Sequence, residues 1–319
     1  MRVDNSDINI NADETKDYAF AFLGEFGYEL ISWLPYLKYL KETFNIKLNT
    51  ISRPGSSLFY NFSDAHYEVS SDYIGNMWGD EYCYAKLYNK FQQYKIIHPG
   101  QDFINKRNIK IENTNWENKD IHTIIKTNNY SILNLDYVKI VPDIIKKPFV
   151  VINNKFQRQW FNKYKSPINY FNDIELKEII SLLNKKGINV IYNNFIEKTN
   201  YDIIYNNEFK LDNENNINLW DNFTGINEIQ KNEIQINLYN DAEYIIGVQG
   251  GNMYLPLILG KKCLILMRDG NYIDYLELAR IYNAEVQCFY ESSQIINSIE
   301  LNNKFNTIET IQKFHYAKK

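Results

Sequence analysis

The chain has 319 residues, 45% hydrophobic, 23% charged and 15% aromatic, with a net charge of −4. That composition is too apolar for a disordered chain and too charged for a membrane-embedded one. An acidic balance without a Lys/Arg run also argues against binding a nucleic-acid backbone, and the length suits two α/β domains.

Residues 1–16 are polar and read as a loose leader, and "DYAFAFLG" follows as a buried strand. Leu30, Trp33, Leu34, Leu37 and Leu40 then recur at helical spacing on one face. Pro35 suits a first helical turn, so the regular helix is predicted to start near Leu34, after an irregular turn. "IKLNTIS" is the next strand, completing a βαβ unit. From Ser56 to Pro142 the pattern is weak: "KIIHPG" reads as a short strand and turn, and a helix is expected within residues 114–133. Val141 to Pro148 reads as a linker.

Alternation then resumes. "FVVINNK" is a strand, and "DIELKEIISLLNKKG" a helix capped by Asp173, with a stripe of Ile174, Leu176, Ile179, Ile180 and Leu183, ending at Gly187. Strands are expected at "INVIYN", "EYIIGV", "KCLILM" and "EVQCFY". Helices are expected at "EIQINLYNDA", after "QGGN", at "DYLELARIYNA" and at "NKFNTIETIQKFHYA". This order predicts a parallel α/β sheet in the second half.

In such sheets ligands bind beyond the carboxyl ends of the strands, so two turns stand out. In "LGEFGYEL", Gly24 and Gly27 permit a tight turn. Glu25 and Glu29 place carboxylates where a general base can take a proton from an attacking hydroxyl, although one can equally cap the helix and the other face solvent. In "GVQGGNMYL", Gly250 and Gly251 let a ligand approach the backbone, and the helix that follows offers free N–H groups to an anion. Gln249 and Asn252 add amides. A plain strand-to-helix turn would look similar, and the chain has neither a GxGxxG fingerprint nor a P-loop. Lys155 and Arg158, just after a strand, can neutralise a diphosphate or form a solvated basic loop.

The three cysteines, Cys83, Cys263 and Cys288, form no CxxC or Cys/His cluster, and the four histidines show neither triad nor metal spacing. No metal site is expected, and Cys263 reads as a core residue. No secretory signal or membrane-length apolar run is present, so a cytoplasmic protein is expected, with room for peripheral membrane contact.

The opening segment, "GEFGYELISWLPYLKYLKETFNIKLNTISRPG", resembles the start of the bacterial heptosyltransferases, glycosyltransferase family 9: an apolar strand, a Gly-acid pair, a Pro, a Leu/Lys-rich helix and a strand. "LYNDAEYIIGVQGGNMYLPLILGKKCLILM" resembles that family's second signature, A-D-x-x-I-G-x-D-S-G-x-x-H-L-A-x-x-L-G-x-P. "PFVVINNKFQRQW" sits where the family has the first strand of its C-terminal domain and a phosphate-contacting basic residue. The likeness runs over about residues 17–55 and 147–270, and Gln249 to Tyr254 replace the D-S-G-x-x-H segment.

The resemblance implies an α/β GT-B fold, two Rossmann-like domains with parallel sheets facing a central cleft. Residues 1–145 would form the acceptor-side domain and 146–300 the nucleotide-sugar domain, with a C-terminal helix, 301–319, packing back on the first. The implied activity is transfer of a sugar from a nucleotide-activated donor to a hydroxyl of a glycan or related acceptor, without a metal cofactor, by inversion. Glu29 or Glu25 would be the base. Lys155, Arg158, Gln249, Gly250, Gly251, Asn252 and Tyr254 would serve the donor. Gly24, Gly27, Tyr28 and Arg53 would shape the acceptor-side turn. A nucleotide-sugar epimerase or hydrolase of the same fold, or a non-catalytic glycan-binding protein, is the alternative.

Overall fold

A computed structural model describes residues 8–10, 18–75, 81–99, 109–111, 145–154, 169–193, 216–223, 225–270 and 272–301, with positions 133, 135, 209 and 211. The expected helix in 303–317, that in 114–133 apart from Leu133, and the first half of the linker, 141–144, lie outside these residues. The chain divides into two units, Met1–Tyr137 with Asn227–Asn232, and Val138–Ile226 with Glu233–Lys319.

The first unit opens with β1 (Ile8–Ile10), in the stretch expected to be a loose leader. Then come β2 (Tyr18–Ala21), the short helix α1 (Phe26–Tyr28), a π-helical segment Glu29–Trp33, α2 (Leu34–Phe44) and β3 (Asn49–Ser52). The weakly patterned stretch contains β4 (Ala65–Glu68), α3 (Glu81–Lys90), β5 (Lys95–Ile97) and β6 (Ile109–Ile111). β1 is not loose: it pairs in parallel with β6.

The main sheet of this unit is parallel, in the order β4-β3-β2-β5. Chain order therefore reverses beside β2, between β3 on one side and β5 on the other. The last three residues of β2 are buried, as expected of a parallel strand covered on both faces.

The irregular turn before Leu34 is the π-helical segment, in which the Leu34 N–H reaches the Glu29 carbonyl. Pro35 gives the reason. It has no N–H for the Ile31 carbonyl, and in a regular helix its ring would press on that oxygen; one wider turn relieves both. All five residues of the predicted stripe are buried. α2 ends on Asn45 in the left-handed conformation, φ 52°.

The second unit contains β7 (Phe149–Asn153), α4 (Asp173–Lys185), β8 (Asn189–Asn193), β9 (Asn216–Asn218), the part of α5 (Glu228–Asp241) from Glu233 on, and β10 (Ile245–Val248). It continues through a 3-10 turn at Gly251–Met253, α6 (Tyr254–Ile258), β11 (Cys263–Leu266), α7 (Ile273–Ile281), β12 (Val286–Phe289) and α8 (Ser292–Glu300). Its sheet is parallel throughout, in the order β12-β11-β10-β7-β8-β9. With β7 as the first strand this is the doubly wound order, which reverses between β7 and β10.

Two details of α4 correct the expectation. Asn172, not Asp173, is the N-cap: its Oδ1 accepts the Ile174 and Glu175 N–H groups at 3.0 Å each, and Glu175 returns a bond to the Asn172 N–H at 2.9 Å. Asp173 is the first helical residue. Ile174 is 70% exposed, because the buried stripe begins at Leu176. Cys263 is wholly buried, as expected of a core residue.

Candidate active site

Each unit places a glycine-containing turn at its strand-order reversal, where open α/β sheets hold ligands. In the first unit β2 runs out through Leu23 into Gly24 and Glu25. The Leu23 N–H donates to the Tyr84 hydroxyl at 3.1 Å, and the Leu23 carbonyl accepts from the Gly75 N–H at 2.7 Å. Gly24 and Gly27 are buried, while Glu25, Phe26 and Tyr28 are half-buried. Glu25 precedes α1 as its N-cap residue, yet its side chain makes no capping bond.

Glu29 is placed quite differently. It is 0% exposed, and its Oε1 accepts from the Tyr60 hydroxyl at 2.7 Å. Its Oε2 lies 3.2 Å from Nε of Arg53, itself 5% exposed. The Arg53 Nη2 donates to the Gly24 carbonyl, and its guanidinium lies 5.6 Å from the centroid of the Phe26 ring. Burial and the neighbouring Glu29 charge push the Tyr60 phenol well above its usual range. Tyr60 therefore stays protonated and donates.

The Tyr60 ring stacks on His66 at 4.4 Å. The His66 nitrogens meet the Thr50 hydroxyl at 2.8 Å and the Ser52 hydroxyl at 3.1 Å. Gly24, Glu29 and Arg53, named from sequence, thus converge. Tyr60 and His66 complete the cluster from positions that carried no motif.

In the second unit the turn after β10 is built around Asn169. Its Nδ2 donates to the Gln249 Oε1 at 2.6 Å and to the Asp269 carbonyl at 2.9 Å, while its Oδ1 accepts the Arg268 N–H at 2.8 Å. One side chain therefore ties the loop after β10 to the loop after β11. Gly250 has φ 149°, and its N–H donates to the Tyr275 hydroxyl at 2.9 Å. Tyr275 is buried, which pushes its phenol well above the usual range, and it stacks on Tyr254 at 5.1 Å. Gly251, Asn252 and Tyr254 are half-buried beside it. Gln249, Gly250, Gly251, Asn252 and Tyr254 thus form one turn. Lys155 and Arg158 lie outside the described residues.

Asparagines close the carboxyl ends of β7 and β8. The Asn153 Oδ1 accepts from Asn193 Nδ2 at 2.9 Å and from the Tyr239 hydroxyl at 3.1 Å, and the Asn193 Oδ1 accepts from Trp220 Nε1 at 2.8 Å. Their signal in the sequence is the Asn pair that ends each of the runs "FVVINN" and "VIYNN". Among the described residues no group of three or more His, Cys, Asp or Glu is placed to hold a metal ion, and no helix is long and apolar enough to cross a membrane.

No protein-family model and no curated protein sequence matches the chain. Solved structures do match it in fold. A glycosyl transferase family 9 protein from Veillonella parvula is similar at TM-score 0.52 and 10% identity, over 90% of this chain and 89% of that one. The E. coli ADP-heptose lps heptosyltransferase II is similar at TM-score 0.51 and 8% identity, over 90% and 99%. The dodecameric iron-containing heptosyltransferase TibC of enterotoxigenic E. coli is similar at TM-score 0.39 and 13% identity over 82% of this chain, which spans 59% of the TibC chain. The fold is GT-B, with two Rossmann-like α/β units.

Proposed function

We propose that the chain is a glycosyltransferase that moves a sugar from a nucleoside-diphosphate donor to an acceptor hydroxyl with inversion, and that Glu25 is its general base. The observation carrying this reading is the placement of a Gly-acid turn and a Gln-Gly-Gly turn at the strand-order reversals of two parallel sheets. The fold shared with an ADP-heptose heptosyltransferase supports the donor class.

The environments of the two glutamates favour Glu25. A base must come within hydrogen-bond reach of the proton it removes. Glu29 is sealed from solvent and engaged by Tyr60 and Arg53, whereas Glu25 is half-buried at the end of β2. In the proposed step the acceptor oxygen attacks the anomeric carbon, its proton passes to the Glu25 carboxylate, and the C–O bond to the diphosphate breaks with its electron pair going to the leaving phosphate. That charge calls for N–H and cationic partners. Gly251 and Asn252 open a 3-10 turn whose first N–H groups are available to a phosphate oxygen, and Lys155 and Arg158 follow β7 closely in sequence. Gly250 is not assigned this role, because its N–H is already used by Tyr275.

The test is a panel of UDP-, GDP-, ADP- and CMP-sugars titrated into the folded protein, followed by turnover of wild type and Glu25→Gln. Binding of one donor, a fall in kcat of about 10²-fold or more in the variant and turnover indifferent to chelator are expected. A folded protein that binds none of the donors would sink the reading. Full turnover in Glu25→Gln would remove the base assignment.

A further inference from the structure

Arg53 reaches both ends of the segment that carries Glu25. It donates to the carbonyl of Gly24, the residue before Glu25, and pairs with the carboxylate of Glu29, four residues after it. The backbone closes the same loop, since the Glu29 N–H donates to the Glu25 carbonyl at 3.2 Å. Tyr60 fixes the other carboxylate oxygen at 2.7 Å, and the Phe26 ring lies beside the guanidinium.

A buried ion pair is a poor way to gain stability: packed apolar groups of similar volume often do as well or better. Its advantage is directional. Guanidinium is a rigid planar fork that can hold two acceptors in fixed relation, which an ammonium cannot. The π-helical turn at Glu29–Trp33 shows that the backbone here departs from regular helix at the residue that makes the pair.

We infer that Arg53 and Glu29 are positioning residues, a buried clamp that fixes the Gly24–Glu29 turn and thereby the direction of the Glu25 carboxylate. The catalytic part of this inference rests on the transferase reading above; the clamp itself does not. Glu29 then acts on the reaction through Arg53 and the turn, without touching the acceptor.

The test uses full-length Arg53→Lys, with amide hydrogen exchange and steady-state kinetics on the same preparation. Peptides covering residues 22–34 should exchange at least about tenfold faster than in wild type while those of β10 and β11 do not change. The kcat should fall about 10²-fold, the scale of a small misplacement of a reacting group, with donor KM within about threefold. Should Arg53→Lys fail to fold, Glu29→Gln/Arg53→Met removes both charges together and avoids a stranded ion; the same two changes are expected of it. A folded variant with wild-type exchange over residues 22–34 overturns the clamp. Faster exchange with unchanged kcat overturns the positioning role. If wild type transfers no sugar at all, the transferase reading falls, and the exchange measurement still decides the clamp.

Discussion

Asn153 and Asn193 stand directly opposite one another at the last paired positions of β7 and β8, and the Asn193 Nδ2 donates to the Asn153 Oδ1 at 2.9 Å. The same Asn153 oxygen accepts from the buried Tyr239 hydroxyl, whose phenol burial pushes up to about 12. Asn153→Leu keeps the branched shape but removes the acceptor shared by the Asn193 amide and the Tyr239 hydroxyl, leaving the amide only its longer bond to the Tyr239 oxygen at 3.3 Å. A loss of about 2–4 kcal/mol is expected, since each unmet buried group costs about 1–3. It should appear as a lower urea midpoint with an unchanged slope; a midpoint within error of wild type would contradict it.

Gly270 should be intolerant of a side chain for two separate reasons. Its φ is 132°, and a Cβ built there falls inside the Gln249 side-chain amide. That amide is held by Asn169 at 2.6 Å and cannot swing away freely. Gly270→Ala is expected to cost about 1–3 kcal/mol, from backbone strain and overpacking together. Adding Gln249→Ala should recover the steric share and leave the backbone share. Thermal melts of the single and double variants separate the two, and equal melting points would mean the clash is not felt.

The fold was legible where parallel strands are buried on both faces. "FVVI", "YIIGV" and "CLILM" are unbroken apolar runs between helical stripes, and β7, β10 and β11 lie there. It was illegible at β4, where "AHYE" is half-buried and polar, and at α3, whose "EYCYAKLYNK" hides its stripe among tyrosines. The turn after β10 was visible because Gly250 takes positive φ, which leaves a residue-type mark; Gly24, Gly27 and Gly251 adopt no such φ, so the first turn's glycines mark it by composition alone. Partners drawn from elsewhere in the chain leave none. Tyr60 and Glu29 are 31 residues apart, and Asn169 and Gln249 are 80 apart. So the two glutamates looked alike as letters, and only the packing around them told a buried anchor from an accessible carboxylate.

The cap of α4 offers a direct contrast between neighbours. Asn172 supplies the oxygen that two N–H groups share, so Asn172→Ala should cost about 1 kcal/mol. Asp173→Ala takes a charge from the first turn without touching the cap bonds and should cost roughly a few tenths of a kcal/mol. Parallel urea titrations rank the two, and the reverse ranking would restore Asp173 as the cap.

His66 gives stability a pH dependence whose sign follows from its surroundings. Burial pulls its pKa down from the usual 6.5 to about 4, against a smaller opposing effect of Glu68. The ring is neutral in the fold, held between the Thr50 and Ser52 hydroxyls and stacked on Tyr60. Between those two pKa values the unfolded chain binds a proton that the folded chain refuses, so stability must fall as the pH drops. The contribution is whole above pH 6.5, shrinks towards pH 4 and changes little below that. Its full size is about 3 kcal/mol at 1.36 kcal/mol per pKa unit, and less where solvent reaches the ring. Other groups titrate in the same range, so the informative quantity is the difference between wild type and His66→Gln from pH 7 to pH 4. The wild-type stability should fall more steeply than the variant's by about 2–3 kcal/mol over that interval. Two parallel curves would mean that His66 is protonated as readily in the fold as out of it.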